Sequence, residues 1–257
     1  WTKEEVKLGF SLYCQLPFGK LHSRNPEIIE LAKLIGRTPG AVAMKLCNIA
    51  SLDPAITESG RSGLGNASAL DREVWDEFHA DWDRLATECL RIHEKLRREK
   101  GLSPGDNEQA DVEPCDVDDF TGETRKALTE QRMRQNFFRR AVLSSYLGRC
   151  CMSGLSDSRL LVASHIVPWS KDKHNRLNPR NGLCLSALHD KAFDRGLITL
   201  DDDYRVVLSR DLEQWNEPIV RDCFHSLAGK PITLPERFAP DKAFLARHRE
   251  MVFVDHV

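Results

Sequence analysis

The sequence predicts an α+β protein in which a helical N-terminal part precedes a C-terminal part with two short strands and a helix. Apolar residues recur at helical spacing through residues 1–98, and a stretch rich in Pro, Gly and acids then interrupts them. Strand-like runs occur only after that stretch. A chain of 257 residues is long enough for two modest domains, and we expect two.

The predicted N-terminal domain, residues 1–98, begins with a helix that Thr2 and Glu5 start as a capping box. Two further helices are predicted in PEIIELAKLIG and RTPGAVAMKLCNIASLD. Gly36 ends the first of them and Thr38 caps the second. One long helix is predicted for DREVWDEFHADWDRLATECLRIHEKLRREK, which completes the domain.

Helix, short turn and helix form a helix-turn-helix-like arrangement, which nucleic-acid-binding domains and plain helical cores both use. Lys45 and Asn48 lie on the second of the two helices and are the candidate contacts to phosphate or base edges. The sequence leaves open whether this domain recognises a target or only packs as a core.

Residues 99–121 have no apolar periodicity and are dominated by Pro, Gly and acids, which predicts a flexible acidic linker. The predicted second domain, residues 122–257, begins with a helix that carries many arginines. Arginine binds phosphate through two parallel hydrogen bonds, so this helix is a candidate for phosphate-backbone contact, with a solvated charged face as the alternative. The candidate residues are Arg132, Arg134, Arg139 and Arg140.

Three short segments follow in an informative order. LVASHIVPW predicts a strand that ends near His165, and NGLCL predicts a second strand opened by Asn181. SALHDKAFDRG predicts a helix that carries His189, Asp190 and Asp194. The two aspartates are four residues apart and therefore share one helical face. We expect His189, one position off that face, to reach the same side.

The blocks ASHIVPW, NPRNGLCL and FDRG resemble the HNH, or ββα-metal, nucleases, and most closely a bacterial restriction or antiphage-defence subgroup. The resemblance covers residues 122–200 well and the tail more loosely, and no family likeness is evident for residues 1–98. It implies a ββα-metal nuclease domain and a metal-dependent endonuclease that hydrolyses DNA phosphodiester bonds. The N-terminal domain would then select the target.

The resemblance assigns roles to individual residues. His165 is the expected general base, because a neutral imidazole takes a proton from water near neutral pH. Asn181 would orient that ring or brace the loop. A divalent cation would be held by His189, Asp190 and Asp194, with His189 also counted among the catalytic residues. Carboxylates favour Mg²⁺ or Mn²⁺, and participation of His189 would shift the preference toward Mn²⁺, Ni²⁺ or Zn²⁺.

One position departs from the family pattern. Many of these nucleases have Asp or His directly before the base as a metal ligand, and here that residue is Ser164. The remaining ligands would come from the helix, from substrate and water, or from loop residues such as Asp172 and His174.

Charge and cysteine content limit the partners and the cellular compartment that the sequence predicts. The net charge of −2 gives no global sign of a nucleic-acid partner, so local basic surfaces must supply one. The 8 cysteines are scattered rather than arranged as a disulfide framework or a C-x-x-C zinc motif, which predicts reduced thiols in a cytoplasmic protein without a membrane span. A homodimer is expected if both DNA strands are cut. The alternatives are a DNA-binding regulator with an inactive HNH scaffold, or a nuclease that acts on RNA or single strands.

Overall fold

The computed structural model describes residues 1–61, 63–101 and 122–255, with side chains described from residue 127 onward in the helix that begins at Gly122. These residues form two compact units, Trp1–Ser144 and Ser145–Val257. Apart from residues 99–101, the predicted acidic linker lies outside the described residues. No helix within the described ranges is long and apolar enough to cross a membrane.

The first unit is helical. Its elements are α1 (Lys3–Gln15), α2 (Pro26–Ile35), α3 (Pro39–Ala50), α4 (Pro54–Glu58), α5 (Ala69–Ala80), α6 (Trp82–Glu99) and α7 (Gly122–Ser145), whose last residue falls in the second unit. The predicted caps are confirmed: Thr2 and Glu5 form a capping box, and the Thr38 hydroxyl accepts the backbone N–H of Ala41. Gly36 ends α2 in the left-handed conformation at φ 71°, which glycine adopts without steric cost.

The long helix predicted for residues 71–100 is divided into α5 and α6 at Asp81. Phe10 stacks on Phe78 with ring centroids 4.2 Å apart, and Trp82 lies 6.0 Å from Phe10. Asp81 leaves the helical conformation at φ −156° and accepts the N–H of Arg84, so it starts α6 as an N-cap. The prediction of one continuous helix was therefore wrong at Asp81.

The unit boundary also differs from the predicted one. The nuclease domain was expected to begin at residue 122, but α7 clusters with the N-terminal helices up to Ser144. Arg140 pairs with Glu27 at the start of α2, and Arg134 pairs with Asp83 at the start of α6. Both acids lie in the first turn of a helix, where negative charge is favourable. They also pair with arginines of α7, which joins that helix to the first unit.

The second unit contains the predicted strand–loop–strand–helix order. Its elements are β1 (Leu161–His165), β2 (Gly182–Ser186), α8 (Ala187–Asp194), β3 (Ile198–Leu200), β4 (Val206–Leu208), α9 (Arg210–Gln214), α10 (Pro218–Cys223) and α11 (Lys242–Met251). β1 and β2 are antiparallel, with Ser164 opposite Leu183 and His165 opposite Gly182. β3 and β4 pair in the antiparallel direction, and α8 follows β2 directly.

The C-terminal segment packs against the end of α8. The His248 ring of α11 stacks on Phe193 with centroids 3.8 Å apart, and its Nε2 lies 3.2 Å from the Phe193 carbonyl oxygen. Gly196 has φ 69°, and a side chain there would place its Cβ 2.0 Å from the Val252 carbonyl oxygen. Glycine is therefore required where the chain leaves α8, because both conformation and space exclude a side chain.

Candidate active site

His165 lies at the end of β1, where the chain leaves the two-stranded sheet. Its Nε2 is 2.9 Å from the carbonyl oxygen of Arg176. Because a carbonyl oxygen only accepts hydrogen bonds, Nε2 carries the proton of the neutral ring and the lone pair resides on Nδ1. Burial lowers the pKa of His165 to about 4, although the bond to Arg176 acts in the opposite direction. The ring is therefore a neutral base near neutral pH.

Arg176 and Trp169 hold this ring in place. The Trp169 ring meets the His165 ring edge-on, with centroids 5.5 Å apart and an interplanar angle of 88°. Arg176 Nε donates to the Trp169 carbonyl oxygen at 2.8 Å, and its guanidinium carbon lies 5.1 Å from the indole centroid. Sequence reasoning assigned neither residue a role. The Pro-Trp pair after His165 was a signal for Trp169, and no sequence signal indicated Arg176.

Asn181 braces the point where both strands meet the loop. Its side-chain oxygen accepts the N–H of Val167 at 2.8 Å, and its Nδ2 donates to the carbonyl oxygens of Val167 and Asn175, both at 3.2 Å. Its side chain is buried with three hydrogen bonds, so a change there would leave polar groups unsatisfied. Of the two roles expected for Asn181, this geometry favours bracing the loop over orienting the ring directly.

Asp190 and Asp194 lie one turn apart on α8. Burial raises the pKa of Asp190, and the Ser164 hydroxyl lowers it in part. Asp194 is exposed, and partial desolvation together with the negative charge of Asp190 raises its pKa. The two carboxylates thus interact on one side of α8, as their spacing predicts.

Ser164 connects this acidic pair to the histidine. It directly precedes His165 on β1 and is 2% exposed. Its hydroxyl oxygen makes no hydrogen bond of ordinary length within the described part of the chain, although it lies near Asp190. A buried hydroxyl in this state is costly unless a further group satisfies it. Ser164 thus lies near Asp190 and directly precedes His165 on β1.

Residues 150–201 match a family model described as HNH endonuclease. The chain contains an HNH domain. The match spans β1, β2, α8 and β3, and it leaves the first unit and the C-terminal segment uncovered. None of the curated proteins compared matches the chain.

Within the HNH domain His189 does not have the predicted orientation. It is 3% exposed, and its Nε2 lies 3.0 Å from the Cys223 carbonyl oxygen. Its Nδ1 lies 2.8 Å from the hydroxyl of Ser186, the N-cap of α8. Both ring nitrogens are engaged by protein groups, which contradicts the predicted metal and catalytic roles of His189. As the third residue after the cap, its side chain reaches back toward Ser186.

Cys150 completes the contacts of His189. Its sulfur lies 3.6 Å from His189 Nδ1. Burial alone would raise the pKa of the Cys150 thiol, but hydrogen bonds from His189 and Ser153 outweigh it and lower the pKa to about 6. Burial would lower the pKa of His189, and the contact with Cys150 raises it instead. The contact thus favours the charged form of each partner over what burial alone would allow.

HNH nucleases generally use a divalent cation, and the possible ligands near Ser164 fit one of a particular kind. No three His, Cys, Asp or Glu side chains in the described ranges form a ready-made metal cage. Asp190, Asp194 and the Ser164 hydroxyl nevertheless offer oxygen atoms in one place, and hard cations bind oxygen. Mg²⁺ usually retains several waters and takes only one or two protein carboxylates. These residues therefore fit a hard cation that is completed by water and substrate.

Two loop residues named as possible ligands differ in position. His174 is exposed on the loop between His165 and Asn181. Asp172 accepts hydrogen bonds from His174, Asn175 and Arg247, so its oxygens serve the loop itself.

The candidate nucleic-acid contacts of the first unit are mostly internal. Lys45 is 7% exposed, and its ammonium lies 2.8 and 3.0 Å from the two carboxylate oxygens of Asp71. That burial contradicts a phosphate contact by Lys45. Asn48 is half-buried, and its side-chain oxygen has no hydrogen-bond partner in the described ranges. Met44 of α3 is 56% exposed, so part of the accessible surface of this helix is apolar.

The ion pairs of α7 indicate a role for two of its four candidate arginines. Arg134 and Arg140 are half-buried and paired with Asp83 and Glu27, so their guanidinium groups support the first unit. Arg132 and Arg139 are also half-buried. These placements favour a structural role for Arg134 and Arg140 over phosphate contact.

Proposed function

We propose that this protein is a metal-dependent endonuclease that hydrolyses DNA phosphodiester bonds, with His165 as the general base. The observation that carries the proposal is the His165 ring, a half-buried neutral base held by the Arg176 carbonyl and directly preceded by Ser164, which lies near Asp190. Hydrolysis needs a group that takes a proton from water, and a neutral imidazole with its lone pair on Nδ1 does this near neutral pH. The alternative of an inactive scaffold has less support, because both His165 and Asn181 of the motif are present.

The acidic pair would hold the cation. When bound, a divalent cation supplies Lewis-acid stabilisation of the phosphate and leaving oxygen. Asp190 and Asp194 would bind it through carboxylate oxygens, and the Ser164 hydroxyl would bond one of its waters or a carboxylate. Because His189 is turned inward, this donor set contains no imidazole. We therefore propose Mg²⁺ or Mn²⁺ and disfavour Ni²⁺ and Zn²⁺.

The proposed setting is bacterial restriction or antiphage defence, which the resemblance of ASHIVPW, NPRNGLCL and FDRG supports. The first unit would select the target, through surfaces other than the buried Lys45. One centre cuts one strand, so a double-strand break would require two copies of the chain, and we propose a homodimer for that step.

The test is cleavage of supercoiled plasmid by the wild type, by His165→Ala and by His22→Ala, each with Mg²⁺, Mn²⁺, Ni²⁺, Zn²⁺ or EDTA. His22 is an exposed histidine of the first unit, so His22→Ala controls for the loss of a histidine. Unmodified plasmid, plasmid with modified cytosines, single-stranded circles and folded RNA serve as parallel substrates. We expect the wild type and His22→Ala to cut DNA with Mg²⁺ or Mn²⁺, and His165→Ala to lose at least about a hundredfold in rate.

The outcomes separate the alternatives. Nicked product would indicate single-strand cutting, and linear product would support a dimer, which sedimentation at the assay concentration checks. Equal cutting of RNA would replace the DNA assignment. Binding of DNA without cleavage in any metal would overturn the nuclease proposal in favour of a regulator.

A further inference from the structure

The loop between His165 and Asn181 is organised around one carboxylate, Asp172. Its Oδ1 accepts the backbone N–H groups of His174 at 3.1 Å and of Asn175 at 3.2 Å. Its Oδ2 accepts the side-chain amide of Asn175 at 3.1 Å and Nη1 of Arg247 at 2.6 Å. Each carboxylate oxygen thus takes two donors, and one donor comes from α11, far along the chain.

Asn175 passes this order on to the rest of the loop. Its side-chain oxygen accepts Nδ2 of Asn178 at 3.0 Å, and its carbonyl oxygen accepts Nδ2 of Asn181 at 3.2 Å. The next residue is Arg176, whose carbonyl oxygen receives the His165 imidazole. Hydrogen bonds therefore lead from Arg247 through Asp172 to Asn175, and the peptide bond after Asn175 leads to Arg176, whose carbonyl holds the proposed base.

We propose that Arg247 is a positioning residue for His165. Its ion pair with Asp172 fixes the loop whose Arg176 carbonyl holds the imidazole, so Arg247 acts on the reaction without touching substrate. This inference rests on the proposed nuclease function. Arg247 lies outside the segment 150–201 that matches the HNH family model. The proposal therefore adds α11 to the elements that position the site.

The partly exposed position of Arg247 decides what kind of effect to expect. The Arg247 side chain is 37% exposed and that of Asp172 is 11% exposed, so water screens the pair from one side. Pairs of this kind contribute little to global stability. Misplacement of a reacting group by about 1 Å, in contrast, can cost on the order of a hundredfold in rate. Loss of Arg247 should therefore affect the chemical step more than folding.

A second reading is that Arg247 contacts a substrate phosphate, since a guanidinium is suited to phosphate. The two readings differ in what changes. A phosphate contact would act on DNA affinity, while a positioning residue acts on the maximal rate at saturating DNA.

The experiment compares Arg247→Met, Arg247→Lys, Asp172→Asn and the Arg247→Met/Asp172→Asn double variant with the wild type. Arg221→Met, which removes an exposed arginine from α10, is the matched control. Single-turnover cleavage at saturating protein gives the maximal rate, and fluorescence anisotropy in Ca²⁺ gives DNA affinity. Melting temperatures confirm that each variant is folded under assay conditions.

For Arg247→Met we expect a maximal rate lowered on the order of tenfold to a hundredfold, with DNA affinity within threefold of the wild type. Arg247→Lys keeps one donor and should recover part of the rate. The double variant should be no slower than the slower single variant, because both changes break the same contact. Weaker DNA binding that accounts for the whole loss of rate would overturn the proposal.

Hydrogen exchange supplies a readout that needs no cleavage. In Arg247→Met the amides of His174 and Asn175 should exchange faster, while the amides of β1 keep their protection. Unchanged exchange in this loop would overturn the proposal whatever the rates are. If the wild type cuts no substrate, the nuclease function fails, and exchange still decides whether Arg247 holds the loop.

Discussion

Two clusters that include residues of α8 each contain a serine and a histidine, but the two histidines are in different chemical states. The active-site cluster contains Ser164, His165, Asp190 and Asp194, and the packing cluster contains Cys150, Ser186, His189 and the Cys223 carbonyl. Both histidines donate Nε2–H to a backbone carbonyl. In the packing cluster Nδ1 of His189 lies near the Ser186 hydroxyl and the Cys150 sulfur, and the contact with Cys150 raises the pKa of the ring. In the active-site cluster burial lowers the pKa and keeps the ring neutral.

The difference teaches that residue type does not assign function here. A histidine becomes a usable base when its charged form is disfavoured and its lone-pair nitrogen is on the side of the reacting group. A histidine that the protein itself saturates becomes a cross-link between elements. Changes on the two sides of α8 should therefore have separable effects on cleavage and on stability.

The largest effect is expected from Asp190→Asn. An amide lacks the charge that binds a hard cation, so we expect cleavage to fall on the order of a hundredfold and Mn²⁺ affinity to fall with it. Titration of Mn²⁺ by electron paramagnetic resonance measures binding independently of activity. Asp203→Asn, on the exposed β3–β4 turn, is the control. Unchanged Mn²⁺ binding and cleavage in Asp190→Asn would move the metal site elsewhere.

His189→Ala should have the opposite profile. The change removes the imidazole contacts to Ser186, Cys150 and the Cys223 carbonyl and opens a cavity, which predicts a loss of about 2–4 kcal/mol in the free energy of unfolding. The cleavage rate per folded molecule should remain within threefold of the wild type at low temperature. Leu188→Ala, at a position that is 46% exposed, is the matched control. A large loss of rate without destabilisation would restore His189 to the catalytic set.

The sequence was sufficient for the order β1, loop, β2 and α8, and for His165 and Asn181 at the strand ends. It misjudged His189, because neighbouring positions on a helix differ by only about 100° and periodicity does not say which one faces the core. The Ser186-x-x-His189 spacing at the helix start was the available signal. Lys45 offered no local signal, since its partner Asp71 lies on another helix. Arg247 likewise meets Asp172 only through tertiary structure.

His248 is a buried histidine to which no function is assigned, and it tests the effect of burial. Burial lowers its pKa from 6.5 to about 4, the bond to Phe193 opposes this, and Arg249 adds to the lowering. Between these two values the unfolded chain binds the proton and the native chain does not, so stability decreases as pH falls from 6.5 to about 4. The expected contribution is on the order of 3 kcal/mol as an upper limit.

The measurement is urea unfolding at several pH values for the wild type and His248→Gln. The variant should be less stable at neutral pH and should show a smaller decrease of stability toward acid. An identical pH dependence in both proteins would mean that His248 is protonated equally in the native and unfolded chains.

The smallest change in stability should come from Cys150→Ala, which removes the sulfur that contacts His189 in the packing cluster. We expect a loss of about 1–2 kcal/mol in unfolding free energy and a lower pKa for His189, because the partner that raises it is gone. Cys151→Ala removes a buried thiol next in the chain whose pKa burial raises, so it should cost similar stability and leave the His189 pKa unchanged. Titration by nuclear magnetic resonance distinguishes the two variants. An equal shift of His189 in both would mean that general packing, and not the Cys150 contact, sets its charge.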